Sequence, residues 1–192
     1  MKDKLSDLLT DLGIVSTVSK QKFLDEAEVI ELPKNHHIFL EGKENHYEYI
    51  LISGVLHRYN VSDRGDTVTT GFYMPKSVIT PHFARTFSGK SIFSLQCLTD
   101  VVLAQLLVTD LDRLRYTNEE CNEFGQQVVR TELARTFYNE VALRSFNAKE
   151  RLLISRKQFP NLENLIPHTV IASYLGITNV SLSRLRNELA RQ

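Results

Sequence analysis

The residue types best suited to a specific chemistry lie near the C-terminal end of the chain, in a segment with helical periodicity. Asn179, Ser181, Ser183, Arg184 and Arg186 are predicted to share the face opposite an apolar row. Arginine can bond to two atoms of guanine and asparagine to two atoms of adenine, while hydroxyl groups reach phosphates or either base. The chemistry indicated is recognition of duplex DNA from its major groove.

The residues around this face are typical of a helix-turn-helix. Ala172 is small enough to let two helices approach closely, Gly176 suits the left-handed conformation of a tight inter-helix turn, and Thr178 suits the N-cap of the second helix. The residues predicted to face inward are Val170, Ile171, Leu175, Leu182, Leu185 and Leu189. The alternative is an ordinary pair of helices whose polar face is only solvated.

The predicted DNA contacts extend slightly beyond the polar face of the second helix. They are Thr169, Thr178, Asn179, Val180, Ser181, Ser183, Arg184 and Arg186. Arg184 is expected to read a base, although contact with phosphate alone is the alternative.

Charge is distributed unevenly along the 192 residues, although the chain has 23 basic and 23 acidic residues in total. From Ser145 onward there are 7 basic and 3 acidic residues, so an excess of 4 positive charges is balanced by the rest of the chain. A basic end on an acidic body is expected where only one end faces phosphates.

No apolar run reaches the roughly eighteen residues that a membrane helix needs. The N-terminal residues also lack the apolar core of a secretion signal. We therefore expect a cytoplasmic protein with no membrane partner. Cys97 and Cys121 have no metal-binding or disulfide spacing and are expected to be reduced and partly buried.

Short apolar or alternating runs, separated by turn residues, predict β structure in the first half of the chain. The runs are Val29–Leu32, His37–Leu40, Tyr49–Ile52, Val55–Tyr59, Val68–Tyr73, Ile92–Leu95 and Val101–Leu107. Their regular spacing favours a small jelly roll or barrel over a parallel sheet.

Beyond Thr109 the pattern becomes helical, and Thr109 and Asn118 are predicted N-caps. The segment 117–145 contains no proline and predicts one long helix. Its apolar residues recur mostly four positions apart without a clean heptad, so they fit either dimerisation or packing on the β domain. Asn147 is predicted to cap a further helix over Ala148–Gln158.

Three segments together resemble the Crp/Fnr family of bacterial transcription regulators. Residues 171–178 followed by 181–185 resemble the family's recognition motif, 49–56 its barrel strand pair, and 148–152 the start of its DNA-binding domain. The resemblance covers the chain from about Ala27 onward. It implies an α+β protein with a cyclic-nucleotide-binding-type jelly-roll barrel as sensor domain over 1–116, a connecting dimer helix over 117–145 and a helix-turn-helix domain over 146–192.

The same resemblance implies a homodimer that binds a near-palindromic site on double-stranded DNA with the helix at 178–190, under the control of a small-molecule effector. At the start of that helix Asn179-Val180 replaces the family's frequent Arg-Glu, which predicts a different target sequence. Because the sequence ends at Gln192, a helix-turn-helix lacking a full wing is expected.

The stretch 74–93 lacks the family's Gly-Glu pair and its Arg-Ser or Arg-Thr followed by Ala, so a cyclic nucleotide is not the expected effector and no cofactor is predicted. Arg85, Lys90 and His82 are candidates for binding another anion in an effector pocket. The alternative is that they lie on a surface loop.

A cupin-like metal or small-molecule barrel without DNA binding is the competing class. His36, His37, His46, His57 and His82 all lie in the β region. However, adjacent histidines point to opposite faces of a strand, and no His-x-His with a downstream Glu occurs at strand spacing. No paired carboxylates or nucleophile motif is recognisable, so an enzyme is not expected.

Overall fold

A computed structural model describes residues 2–191 of the chain. Within this range the helices are α1 Lys2–Asp11, α2 Thr17–Glu26, α3 His82–Arg85, α4 Val108–Thr117, α5 Glu119–Ser145, α6 Ala148–Gln158, α7 Leu162–Leu165, α8 His168–Tyr174 and α9 Asn179–Ala190. The strands are β1 Glu28–Leu32, β2 His37–Phe39, β3 Tyr47–Ser53, β4 Leu56–Val61, β5 Thr67–Tyr73, β6 Ser77–Val78, β7 Thr86–Phe87, β8 Lys90–Ser91, β9 Ser94–Cys97 and β10 Val101–Leu107. The predicted α+β class is confirmed.

The strands form two four-stranded antiparallel sheets and one small hairpin. The first sheet has the order β1-β10-β3-β6, the second β2-β9-β4-β5, and β7 pairs with β8. Buried side chains from both larger sheets, among them Leu51, Leu56, Leu95 and Leu103, share one apolar cluster. Each of the seven runs predicted as strands overlaps an observed strand. The small strands β6–β8 and the short helix α3 were not predicted.

The outer face of the first sheet is covered by helices. Leu5, Leu9 and Phe23 from α1 and α2 pack with Ile50 of β3 and Phe124 of α5 in a second apolar cluster. This cluster buries the N-terminal helices against both the sheet and the beginning of α5.

Helix α5 has 27 residues, which corresponds to a length of about 40 Å at 1.5 Å per residue. Its predicted N-cap is confirmed, since the Asn118 side chain accepts a hydrogen bond from the Cys121 amide at 3.0 Å. The predicted Thr109 cap is wrong. Helix α4 follows β10 directly and begins at Val108, with Leu107 in the N-cap position and no side-chain cap.

The C-terminal helices α6–α9 form a third apolar cluster that also includes Val55, Phe72 and Leu98 of the β region. Helix α6 spans the predicted residues, and Asn147 caps it in a capping box with Glu150. The ring of Phe72 in β5 meets the rings of Tyr174 and Phe159 edge-on, at centroid distances of 4.9 and 5.5 Å. The helix-turn-helix therefore packs directly on strand β5.

Candidate nucleic-acid interface

The turn between α8 and α9 has the geometry expected of a helix-turn-helix. Gly176 has a φ of 64°, in the left-handed region where a residue without Cβ carries no steric cost. The amide of Ile177 donates to the Ala172 carbonyl at 3.0 Å, closing the end of α8. Thr178 then caps α9, because its hydroxyl accepts from the Ser181 amide at 3.1 Å. The predicted roles of Gly176 and Thr178 are confirmed.

Helix α9 has one face in the core and one in solvent. Leu182 is buried, and Leu185 and Leu189 pack partly buried against the same cluster. On the opposite side Asn179, Val180, Ser183 and Arg184 are exposed. The apolar side of this helix therefore packs in the core of the same chain, and its polar side faces solvent.

Arg184 carries the exposed positive charge of this face. Its side chain makes no hydrogen bond or ion pair with any residue in 2–191. A guanidinium with all five donors in water is able to bond to a phosphate or to the edge of guanine. Thr169, in the first turn of α8, is exposed as well.

Arg186 has a different environment from Arg184. It is half-buried, with Nε 3.2 Å from Glu163 Oε1 and Nη1 2.9 Å from the His168 ring. Glu163 also pairs with Arg156 at 2.7 Å. These contacts tie α9 to the start of α8, so the two arginines of the predicted set do not have the same freedom.

Thr178 and Ser181 are also engaged with each other. Their hydroxyl oxygens lie 2.9 Å apart, and Ser181 is half-buried. The pair closes the first turn of α9 and holds the N-terminal end of the helix, which is the end with unpaired amide groups.

Arg151 is a residue of this region whose role was not predicted. Its Nε and Nη2 donate to the Leu175 carbonyl at 3.1 and 2.9 Å, and Nη1 donates to the Phe146 carbonyl at 2.6 Å. One guanidinium thus joins the end of α8 to the end of α5. The resemblance of 148–152 to a known domain start was the only signal for it in the sequence.

The three candidate effector residues do not form one site. Arg85 is fully buried, donates to Thr80 O at 3.1 Å, to Asn45 Oδ1 at 3.0 Å and to Tyr47 O, and lies 4.5 Å from the centroid of the Phe39 ring. Burial lowers its pKa. The interpretation of Arg85 as a surface residue is wrong, because backbone and amide oxygens replace the water around its charge.

Lys90 and His82 differ from Arg85 in exposure. Lys90 is exposed on the β7–β8 hairpin. His82 is half-buried, and its amide donates to Glu48 Oε1 at 2.8 Å while its ring Nε2 lies 2.8 Å from the Asn45 carbonyl. Burial, followed by the charge of Arg85, lowers the His82 pKa. His82 lines a cavity, described below, that neither Arg85 nor Lys90 lines.

A half-buried charge cluster joins the β region to α5. Glu132 of α5 accepts from Thr80 Oγ1 at 2.7 Å and pairs with Arg135 at 2.5 Å and with Arg58 of β4 at 3.3 Å. Burial opposes ionisation of Glu132, but Arg135 and the Thr80 hydrogen bond outweigh it, so its pKa lies below the ordinary value. The Thr80 carbonyl accepts from buried Arg85, which links this cluster to the interior of the sheets.

The histidines of the competing metal-site hypothesis have other partners. His57 is buried between Thr69 Oγ1 and Gln96 Oε1, at 3.3 and 3.1 Å. His37 Nε2 lies 2.9 Å from the Tyr59 hydroxyl. Across residues 2–191, no group of three or more His, Cys, Asp or Glu side chains is arranged to hold a metal ion. Nor does that part of the chain contain a helix both long and apolar enough to cross a membrane.

The fold is that of the transcription regulators of the Crp/Fnr family, as comparison with solved structures shows. FixK2 from Bradyrhizobium japonicum is 19% identical, with 86% of this chain and 85% of that chain covered and a TM-score of 0.73. The c-di-GMP responsive global regulator CLP from Xanthomonas campestris is 14% identical, with 92% of both chains covered and a TM-score of 0.71. A Crp/Fnr family transcriptional regulator from Eubacterium rectale is 15% identical, with 95% of this chain and 86% of that chain covered and a TM-score of 0.70.

No protein-family model matches the sequence, and no curated protein matches it. The likeness is therefore one of fold at low sequence identity.

Proposed function

We propose that this protein is a dimeric, DNA-binding transcription regulator of the Crp/Fnr type that inserts α9 into the major groove. In this proposal a sensor domain extends to residue 116, a connecting helix covers 117–145, and the DNA-binding domain starts at 146. The competing barrel protein without DNA binding is not favoured, because it leaves the exposed face of α9 without a role. DNA binding also implies a cytoplasmic location.

The observation that carries the proposal is the exposed face of α9 on a helix whose other face is fixed in a core. Asn179, Val180, Ser183 and Arg184 occupy the first two turns, the part of a recognition helix that reaches base edges. Arg184 and Asn179 would read bases, and Val180 would contact a thymine methyl group. This set lacks a carboxylate, so a contact to cytosine N4 is not part of the proposed readout.

The remaining residues of the predicted set would support this face. Thr169 and Ser183 would bond to phosphates, which position a protein on DNA without reading sequence. Thr178 and Ser181 hold the start of α9. Arg186 would orient the helix through Glu163 and His168 rather than read a base.

Dimerisation is proposed along α5. Leu133, Phe137 and Val141 recur every four residues and are 56%, 60% and 52% exposed. A row of this kind on a helix is suited to a symmetric contact with the same helix of a second chain. Two copies of α9 would then meet half-sites about one helical turn apart.

The effector proposed for this regulator is a small molecule other than a cyclic nucleotide. Arg85 is the only arginine of α3, and two of its three nitrogens are already bonded to protein oxygens in the interior. Only Nη1 of this guanidinium has no protein partner among the described residues, so a phosphate could bond to two of its nitrogens only by displacing a protein oxygen. Lys90 would not assist Arg85, since Lys90 is exposed on the β7–β8 hairpin and Arg85 is fully buried.

The proposal is tested by replacing Arg184 with alanine and measuring affinity for the preferred DNA site and for an unrelated duplex. We expect the variant to lose about tenfold or more in affinity for the preferred site, with a much smaller loss on unrelated DNA. The matched control is Arg113→Ala, which removes an exposed arginine from α4. Unchanged discrimination between the two duplexes by the Arg184 variant would contradict the assignment.

A further inference from the structure

A cavity of about 140 Å³ lies outside the two-sheet core, between the first sheet and the helices that cover it. Its apolar wall is contributed by α2, β3, β10, α4 and α5. The main wall residues are Phe23, Ile50, Leu106, Leu111, Phe124 and Val128. An enclosed apolar cavity of about 150 Å³ holds a molecule the size of benzene, so this space is large enough for a small ligand.

The cavity wall also contains polar side chains, with charges of both signs. Glu48, His82, Asp112 and Arg115 line it. Asp112 is exposed, Arg115 and Glu48 are half-buried, and the wall residues Phe23 and Ile50 are buried. The wall of one cavity therefore combines buried apolar side chains with charged groups that are less buried.

Glu48 has only one protein partner in the described structure, the His82 amide. Burial raises the pKa of its carboxyl group to about 7, against the opposing effects of the His82 hydrogen bond and the Arg85 charge. A cationic group near Glu48 would favour the ionised carboxylate and would itself be stabilised.

Arg115 supplies a donor without an acceptor. Its Nε is buried and makes no hydrogen bond with any described residue, and its Nη1 lies 3.8 Å from Asp112 Oδ1. A buried donor left unpaired is costly, so an acceptor at this place would be favourable. Gly125 of α5 makes room for this guanidinium, because a Cβ at that position would lie 2.4 Å from Arg115 Nε.

We propose that this cavity is a binding site for a small apolar α-amino acid of the size of valine or leucine. Its ammonium group pairs with the carboxylates of Glu48 and Asp112, its carboxylate with Arg115, and its side chain fills the apolar interior. A carboxylate, a guanidinium and an apolar wall are the three complementary groups that such a zwitterion requires.

Occupancy would stabilise the start of α5 on the sheet, since Phe124, Gly125, Val128 and Val129 all line the cavity. The binding proposal does not depend on DNA binding, so either can fail without the other. If both hold, the amino acid would stabilise the helix that connects the β region to the proposed reader.

The test is titration calorimetry of the full chain with leucine and two analogues that each lack one charged group. These are 3-methylbutylamine, which has no carboxylate, and 4-methylpentanoate, which has no ammonium group. We expect saturable leucine binding, with each analogue about tenfold or more weaker. Absence of leucine binding, or equal binding of all three compounds, would overturn the proposal.

Substitutions at Glu48 and Arg115 test which residue contacts the ammonium group of the ligand and which contacts its carboxylate. Glu48→Gln should weaken leucine and the amine but leave 4-methylpentanoate unchanged, whereas Arg115→Gln should weaken leucine and the acid but leave the amine unchanged. Gly125→Ala displaces the Arg115 side chain and should act like Arg115→Gln.

The exposed controls Glu44→Gln and Arg113→Gln should bind leucine like the parent, and thermal unfolding checks that every variant is folded. Loss of affinity in the controls, or none in the cavity variants, would refute the site.

Discussion

At the scale of single residues, the arginines of the C-terminal region divide into anchors and a free side chain. Arg151 donates to two backbone carbonyls, and Arg186 contacts a carboxylate and an imidazole. Arg184 has no such partner among the described residues. Charge-assisted hydrogen bonds within the chain fix the two anchors in place. Arginine therefore has two roles in this region, and only the contacts in the folded chain show which role each arginine has.

Glu48 gives a residue-scale prediction about pH. Its folded pKa of about 7 lies above the ordinary value of 4.5, because burial disfavours the charged form. The stability contributed by neutral Glu48 is therefore fully present below about pH 4.5 and is lost as the pH rises through about 7. Glu48→Gln keeps the shape and cannot ionise. We expect the free energy of unfolding of the variant, relative to the parent, to rise by up to about 3 kcal/mol between about pH 5 and 8.

Urea unfolding across this pH range measures the effect on Glu48. Glu44→Gln, in an exposed loop, serves as the control and should show no comparable rise. A free-energy difference between the Glu48 variant and the parent that does not depend on pH would mean that the carboxyl group is not buried as described.

At the scale of elements, local sequence signals were the most informative. The caps at Asn118, Asn147 and Thr178 and the turn at Gly176 depend on neighbours within a few residues, so the sequence was enough to predict them. Helix α2 was missed because only Ser19 and Phe23 of its residues are buried, which leaves little periodicity to detect. The predicted cap at Thr109 is wrong because α4 follows β10 without a connecting loop and begins at Val108.

Side chains with distant partners escaped prediction. Arg85 is buried because oxygens of Asn45, Tyr47 and Thr80 converge on it, and two of these residues precede it by about forty positions in the chain. Glu163 and His168 reach Arg186 only after α7, α8 and α9 have packed together. Such contacts have no local pattern, and the sequence alone could not separate Arg186 from Arg184.

Helix α5 carries the element-scale prediction. Phe137→Glu would place a charge in the middle of the exposed apolar row, where a symmetric contact would bring two such charges together. We expect the parent to sediment at twice the 22.0 kDa chain mass and the variant to sediment as a single chain. The control is Tyr116→Glu, at an aromatic residue of α4 that is 93% exposed. A parent that is monomeric, or a Phe137 variant that still dimerises as tightly, would refute the α5 interface.

At the scale of the whole molecule, the reader and the β region share a core. Phe72 of β5 contacts Tyr174 and Phe159, and the Thr69 amide donates to Ser173 Oγ at 2.9 Å. Arg151 of α6 also joins the end of α8 to the end of α5, through the Leu175 and Phe146 carbonyls. Helices α6 and α8, on which α9 packs, are thus held to β5 and to the end of α5, the helix of the proposed dimer contact.

The central claim is that α9 reads DNA in a symmetric dimer, and selection from random duplexes with the purified full chain tests it most directly. We predict enrichment of a near-palindromic site whose half-sites are about one helical turn apart, with affinity that falls steeply as salt rises. Recovery of no preferred sequence, together with no salt-dependent affinity for any duplex, would contradict the proposed function.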